Sequence, residues 1–294
     1  QIFAGLSLGS ILMLAAMGLA VTFGLLGVIN MAHGEMIMIG AYAAYVTQHL
    51  FRTLAPEAFA WYPIAALPLA FVTAGLVGIA IERTVIRWLY GRPLETLLAT
   101  WGVSLILIQA VRQIFGPQNV GIENPPWLSG GVSLAGVVLP YNRIAIIVFS
   151  LLVLAAVVLL LQRTRLGLFV RGVTQNRSMA SAVGVPTGRV DMLAFGLGSG
   201  IAGLAGVALS QIGNVGPELG QSYIIDSFIV VVLGGVGQLF GAVVAGFGLG
   251  VINKLFEPWF GAVIAKILIL ALVVAFIQKR PSGLFALKGR MVES

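Results

Sequence analysis

The chain contains no cysteine. Disulfide staples, thiolate metal centres and thiol nucleophiles are therefore excluded. Charge is nearly as scarce: 17 Lys and Arg and 10 Asp and Glu make up 9% of 294 residues, against about a quarter in a soluble domain. So few charges cannot cover a soluble globule of this length, which excludes an ordinary cytosolic enzyme. The 2 histidines are too few for a typical zinc site. No G-K-[ST] follows any glycine run, so the chain carries no P-loop and does not hydrolyse ATP itself.

What is present is apolar. Hydrophobic residues make up 59% of the chain and the mean hydropathy is +1.03. A helix of about 20 residues crosses the hydrocarbon of a bilayer, so the chain has room for roughly eight to ten spans. The net charge of +7 sits at the ends of apolar runs and not in a stripe interleaved with aromatics. Orientation by positive charge inside explains it better than nucleic-acid binding. Gln1 is not an initiator, so residues are expected before it.

Apolar runs cover 2–28, 36–50, 62–81, 97–115, 144–161 and 193–212. Two polar patches interrupt them, at 30–35 and 214–222, and the first is read as a break between two helices. Three further passages, at about 223–236, 238–253 and 260–278, are expected before the tail, the first two too short for full straight helices. The sequence thus predicts one all-α polytopic membrane domain over 1–294, with eight to nine passages, some short or broken. Basic clusters at 83–92, at 163–190 and in the tail, with Lys279, Arg280, Lys288 and Arg290, mark the cytoplasmic side. The loop 116–143 has only Arg143 and faces outside.

The two patches echo one another. Asn30, Gly34, Glu35 and Tyr42 follow one Gly/Ala-rich span; Asn214, Gly216, Glu218 and Tyr223 follow another, five spans later. An odd separation turns the second unit over, which suggests an inverted repeat with interrupted helices beside the pathway. Gly198, Gly200 and Gly203 match G-x-G-x-x-G, but without a strand and a βαβ unit they read as helix packing. The pairs Gly5/Gly9, Gly196/Gly200, Gly237/Gly241 and Gly246/Gly250 read the same way.

Glu35 is equally compatible with a structural cap and with a wall of the pathway. Asp226 is either an interfacial residue or a costly carboxylate facing a cavity. Lys266 falls in the last span and could snorkel outward. In the 163–190 loop, residues 177–183 read as a short helix. Asn176 or Thr174 would cap its start, with Gly184 at the left-handed C′ position and Pro186 beyond. Such a helix on a basic loop suits docking by a soluble partner; the bland alternative is a solvated loop.

The runs at 5–10, 27–36 and 40–42, the loop from Arg163-Thr-Arg165-Leu-Gly167 to Ala182-Val-Gly184, and the runs 215–228, 234–237, 253–259 and 278–285 resemble the branched-chain amino-acid/urea permease family of ABC importers. Within it, Asn30-Met31-Ala32 and the run 218–223 are most similar to the urea-importing branch, B-type subunit. The resemblance implies a bacterial inner-membrane subunit that moves urea or a close small amide by alternating access. The alternative is a branched-chain amino-acid importer; a passive channel is a third class. It also implies a second homologous permease in a heterodimer, two cytoplasmic ATPases that bind ATP and Mg, and a periplasmic solute-binding protein. This chain itself would hold no cofactor. Loop residues Arg165, Arg171, Arg177, Ala182 and Gly184 would meet the ATPase. Polar residues expected along the path are Glu35, Tyr42, Gln221, Tyr223 and Asp226, with Thr100, Ser104, Gln109, Gln211, Asn214 and Ser227 as further candidates.

Overall fold

A computed structural model describes residues 1–285; Lys288 and Arg290 lie outside the described residues. The order is α1 (Ile2–Leu19, continued as a π-helical turn to Leu25), α2 (His33–Leu54), α3 (Tyr62–Thr84), α4 (Pro93–Phe115), a hairpin of β1 (Gly131–Leu134) and β2 (Val137–Pro140), and α5 (Tyr141–Arg163). Then follow α6 (Arg165–Gln175), α7 (Arg177–Ala182), α8 (Thr187–Ser210), α9 (Leu219–Gly234), α10 (Leu239–Phe260) and α11 (Ala262–Lys279). Among the described residues, seven helices are long and apolar enough to cross a membrane. The more polar α2 and the 16-residue apolar α9 lie outside that count.

Loops expected on one side of the membrane gather at one end of the bundle. At one end the 116–143 loop ties the helix tips together. Tyr62 donates to the Glu123 carbonyl (2.5 Å), the Gln48 side chain accepts from the Glu123 N–H (2.7 Å), and Trp127 donates to Ala60 (2.6 Å). Val120 and Val215 exchange both backbone bonds. At the other end Arg177 stacks on Tyr90, and the Leu284 N–H bonds the Leu233 carbonyl at 2.8 Å.

α8 lies at the centre, the most buried of the candidate spans. Small residues let its neighbours approach. Gly203 meets the backbone at Gly40 of α2, Gly200 takes the Phe71 ring of α3, and Gly198 meets Gly18 of α1. The G-x-G-x-x-G run is therefore a packing surface inside one helix. Gly5 and Gly9 close on Gly250 and Gly246 in the same way, seaming α1 to α10. A Cβ at Gly40 would fall inside bonding-scale reach of Gly203. Gly40→Val is accordingly expected to lose about 1–3 kcal/mol or more by forcing the helices apart. A thermal unfolding scan in detergent would register this as a lower midpoint; an unchanged midpoint would contradict the packing.

Two expectations need correction. The first break lies at 26–32, and His33 opens α2. The residue with unusual backbone is Gly27, at φ +70°, while Gly34 is helical and serves close approach. α10 is a full 22-residue helix. Its polar residues 253–258 do not end it, because Lys254 and Glu257 pair at i,i+3 (2.7 Å) and Pro258 falls in the last turn, where the kink costs little. Within the 116–143 loop, β1 and β2 pair antiparallel around Ala135 and Gly136, at φ +50° and +83°. Two positive φ values are what a tight two-residue hairpin turn requires.

Candidate substrate path and coupling face

α2 begins at depth. The His33 Nε2 lies 2.9 Å from the carbonyl oxygen of Ala15, roughly halfway along the first span. The returning segment therefore needs partners for its backbone, since lipid supplies none. The Met31 N–H donates to Thr100 Oγ1 (3.1 Å), the Ala32 N–H to Asn30 Oδ1 (3.0 Å), and the Val28 N–H to the Thr22 carbonyl (3.4 Å). α9 follows a second break at 211–218, and its Gly220 rests on the backbone of Gly34 and Glu35. Two interrupted helices thus meet N-terminus to N-terminus. Backbone touches backbone there, so no solute-sized space separates them.

Of the residues expected along the path, Glu35 and Tyr42 lie inside. Glu35 is 1% exposed in the first turn of α2, and its Oε1 has no partner among the described residues. Tyr42 is buried and stacks on Phe115 with ring centroids 4.6 Å apart. Thr100 and Ser104 are buried on α4. Gln221 is exposed, and Tyr223 and Asp226 are half-buried on α9. Asp226 pairs with Lys266 of α11 at 3.0 Å, while the Lys266 side chain remains 52% exposed. Beside the pair is a cavity of about 30 Å³ lined by Leu12, Ile229, Leu249, Asn253 and Ile269. A larger cavity of about 300 Å³ opens between α3, α5 and α8, but Ile64, Leu67, Phe149 and Leu152 make it a hydrocarbon-facing groove.

On the opposite end α6 and α7 form a compact projection. Thr164 caps α6 by accepting from the Gly167 N–H (3.4 Å). Asn176 caps α7 by accepting from the Met179 N–H (3.0 Å). Gly184 sits at φ +90°, with its N–H on the Ser181 carbonyl and the Val185 N–H on that of Ala180, both 3.0 Å. That is a Schellman closure, which requires a left-handed residue at C′. Met179 and Val183 are 64% and 77% exposed beside a groove of about 540 Å³ shared with Leu168 and Phe169. Arg165, Ala182 and Gly184 are exposed too.

Two arginines are already engaged. Arg171 donates to the Leu161 carbonyl at the end of α5. Arg177 grips Asp191 of α8 with two bonds, 2.7 and 2.9 Å, and lies 4.8 Å above the Tyr90 ring. Burial and the nearby Asp191 and Glu82 carboxylates push the Tyr90 phenol well above its ordinary pKa, so it remains a donor. Asp191 and Tyr90 carry no signal in the sequence, and Glu82 and Asn253 stand there only as members of polar stretches. The basic stretch was read as ending at Val190, one residue before Asp191, and so as free of acid.

A family model described as "Branched-chain amino acid transport system / permease component" matches residues 1–277. The chain is 31% identical over 289 residues to the high-affinity branched-chain amino acid transport system permease protein BraD of Pseudomonas aeruginosa, covering 97% of this chain and 94% of that one. It is 29% identical over 290 residues to LivH of Escherichia coli, a permease protein of the same description, with the same coverage. A probable branched-chain amino acid transport permease of Methanocaldococcus jannaschii is 27% identical, covering 94% of this chain and 88% of its own. No solved structure matches the chain.

Proposed function

The chain belongs to the branched-chain amino acid transport permease family, and on that footing we propose that it is one transmembrane half of an ATP-driven importer carrying a branched aliphatic amino acid inward. It is a multi-pass membrane protein and a transport subunit, not an enzyme. The observation that carries the importer reading is the α6–α7 projection. A capped helix with Met179 and Val183 exposed on the arginine-rich end suits docking by a soluble ATPase. A passive channel needs no such element.

The partners follow from that reading: a second permease across the pathway, two cytoplasmic ATPases that bind ATP and Mg, and a solute-binding protein at the outer face. In a bacterium the assembly sits in the inner membrane. Asp226 and Lys266 provide one anion and one cation beside Leu12, Ile229 and Ile269. That combination complements a zwitterion with an aliphatic side chain. Transport would part the pair, Asp226 meeting the ammonium and Lys266 the carboxylate.

Urea is the second reading, favoured by the run Glu218 to Tyr223 at the opening of α9 and by a cation already neutralised by its neighbour. Reconstituting the permeases with their ATPases and binding protein in liposomes separates the two. Labelled leucine should accumulate only with ATP, and unlabelled valine should compete while urea does not. ATP-driven urea accumulation with no leucine uptake would replace the amino acid by urea. ATP-independent equilibration of either would sink the importer reading.

A further inference from the structure

We propose that Arg177 is a positioning residue that fixes α7 to α8 and α3, so that a displacement imposed on α7 reaches the transport helices as one body. α7 cannot hold its place unaided. It has six residues, only Ala180 of them buried, and a helix that short has almost no intrinsic stability. Nor is Arg177 there for the helix's own benefit, since a cation at the first helical position opposes the macrodipole.

Its partners explain it. Both guanidinium nitrogens bond the two oxygens of Asp191, a parallel fork that fixes orientation as well as distance. Asp191 is 2% exposed in the first turns of α8. The same guanidinium lies over the ring of Tyr90. The Tyr90 hydroxyl donates to Glu82 Oε1 at 3.4 Å, and Glu82 is 2% exposed near the end of α3. One side chain therefore joins α7, α8 and the turn leading out of α3. α8 is the helix against which α1, α2 and α3 all pack, so its movement moves the bundle.

The inference rests on the reading that α7 meets the ATPase. The full complex reconstituted in liposomes tests both. In R177Q, solute moved per ATP hydrolysed should fall roughly tenfold, because the fork is lost and a buried carboxylate is left without its partner. The ATPases should still co-purify and basal hydrolysis should persist. A merely structural residue would lower assembly and leave that ratio unchanged.

Because the chain lacks cysteine, a covalent substitute is available. R177C/D191C should be uncoupled as made. Bridging the two thiols with a short bis-methanethiosulfonate should restore coupling to at least about half of the parental ratio, and dithiothreitol should abolish it again. Parental coupling in R177Q, or a bridged pair that stays uncoupled, would overturn the proposal. Should R177Q fail to assemble, R177K decides: it keeps the charge and loses the fork, and parental coupling in it overturns the proposal as well. A photoreactive benzoylphenylalanine in place of Val183 serves as the separate check on docking. No cross-link to the ATPase would defeat the docking reading, whereas a cross-link together with coupled R177Q would defeat the Arg177 inference alone.

Discussion

Gly184→Val should cut solute uptake per ATP hydrolysed by about tenfold while the protein still inserts and assembles. At φ +90° the backbone of Gly184 is in a region that a β-branched residue enters only with strain, at a cost of about 1–3 kcal/mol. Every 1.4 kcal/mol or so is a factor of ten, and α7 has almost no burial with which to absorb it. A Cβ at position 184 would meet nothing within 4 Å, so the effect is one of backbone alone. Gly184→Asn, which tolerates the left-handed region, should therefore keep most of the coupling. ATPase activity and uptake measured on the same vesicles check this. Normal coupling in the valine variant would show that the end of α7 is not used.

Asp226→Ala should lower uptake about tenfold as well, but for a different reason. The substitution leaves Lys266, near the start of α11, without its carboxylate partner and breaks the tie between α9 and α11. Asp226→Ala alone cannot separate loss of a solute contact from loss of the pair. The double variant D226L/K266M removes both charges and should assemble at the parental level. If the pair meets the solute, labelled uptake in the double variant stays low. Recovery of uptake would make the pair a structural tie only. Asp226→Asn and Glu35→Gln complete the series, and parental uptake in both would take these carboxylates out of the pathway.

The spans were legible because apolar length is a direct consequence of bilayer thickness. The capped helix at 177–182 was legible too, since Asn176, Gly184 and Pro186 each act on their own neighbours. Long-range partners were not. His33 reads as part of a break because nothing local shows that its ring will reach Ala15 on another helix. Asp191 escaped because its partner lies 14 positions earlier, outside any helical or strand period. α10 looked short because polarity was taken for an ending, whereas Asn253 lies beside Asp226 and Lys266 within an unbroken helix. Tyr42 was readable as polar but not as a ring stacked beneath Phe115.

The meeting of α2 and α9 also has an electrical consequence. Each helix carries about half a positive charge at its N-terminal end, and Gly34 and Gly220 bring the two ends into contact where little water can screen them. Left alone, these like poles would push the helices apart. Glu35 stands in the first turn of α2 at that point, buried and with an oxygen that no single donor claims. A carboxyl group in the first turn is the side chain best suited to such an end, because its oxygens accept where helix N–H groups lack partners. Glu35 thus stands where two opposed half-spans bring their positive ends together in the middle of the protein.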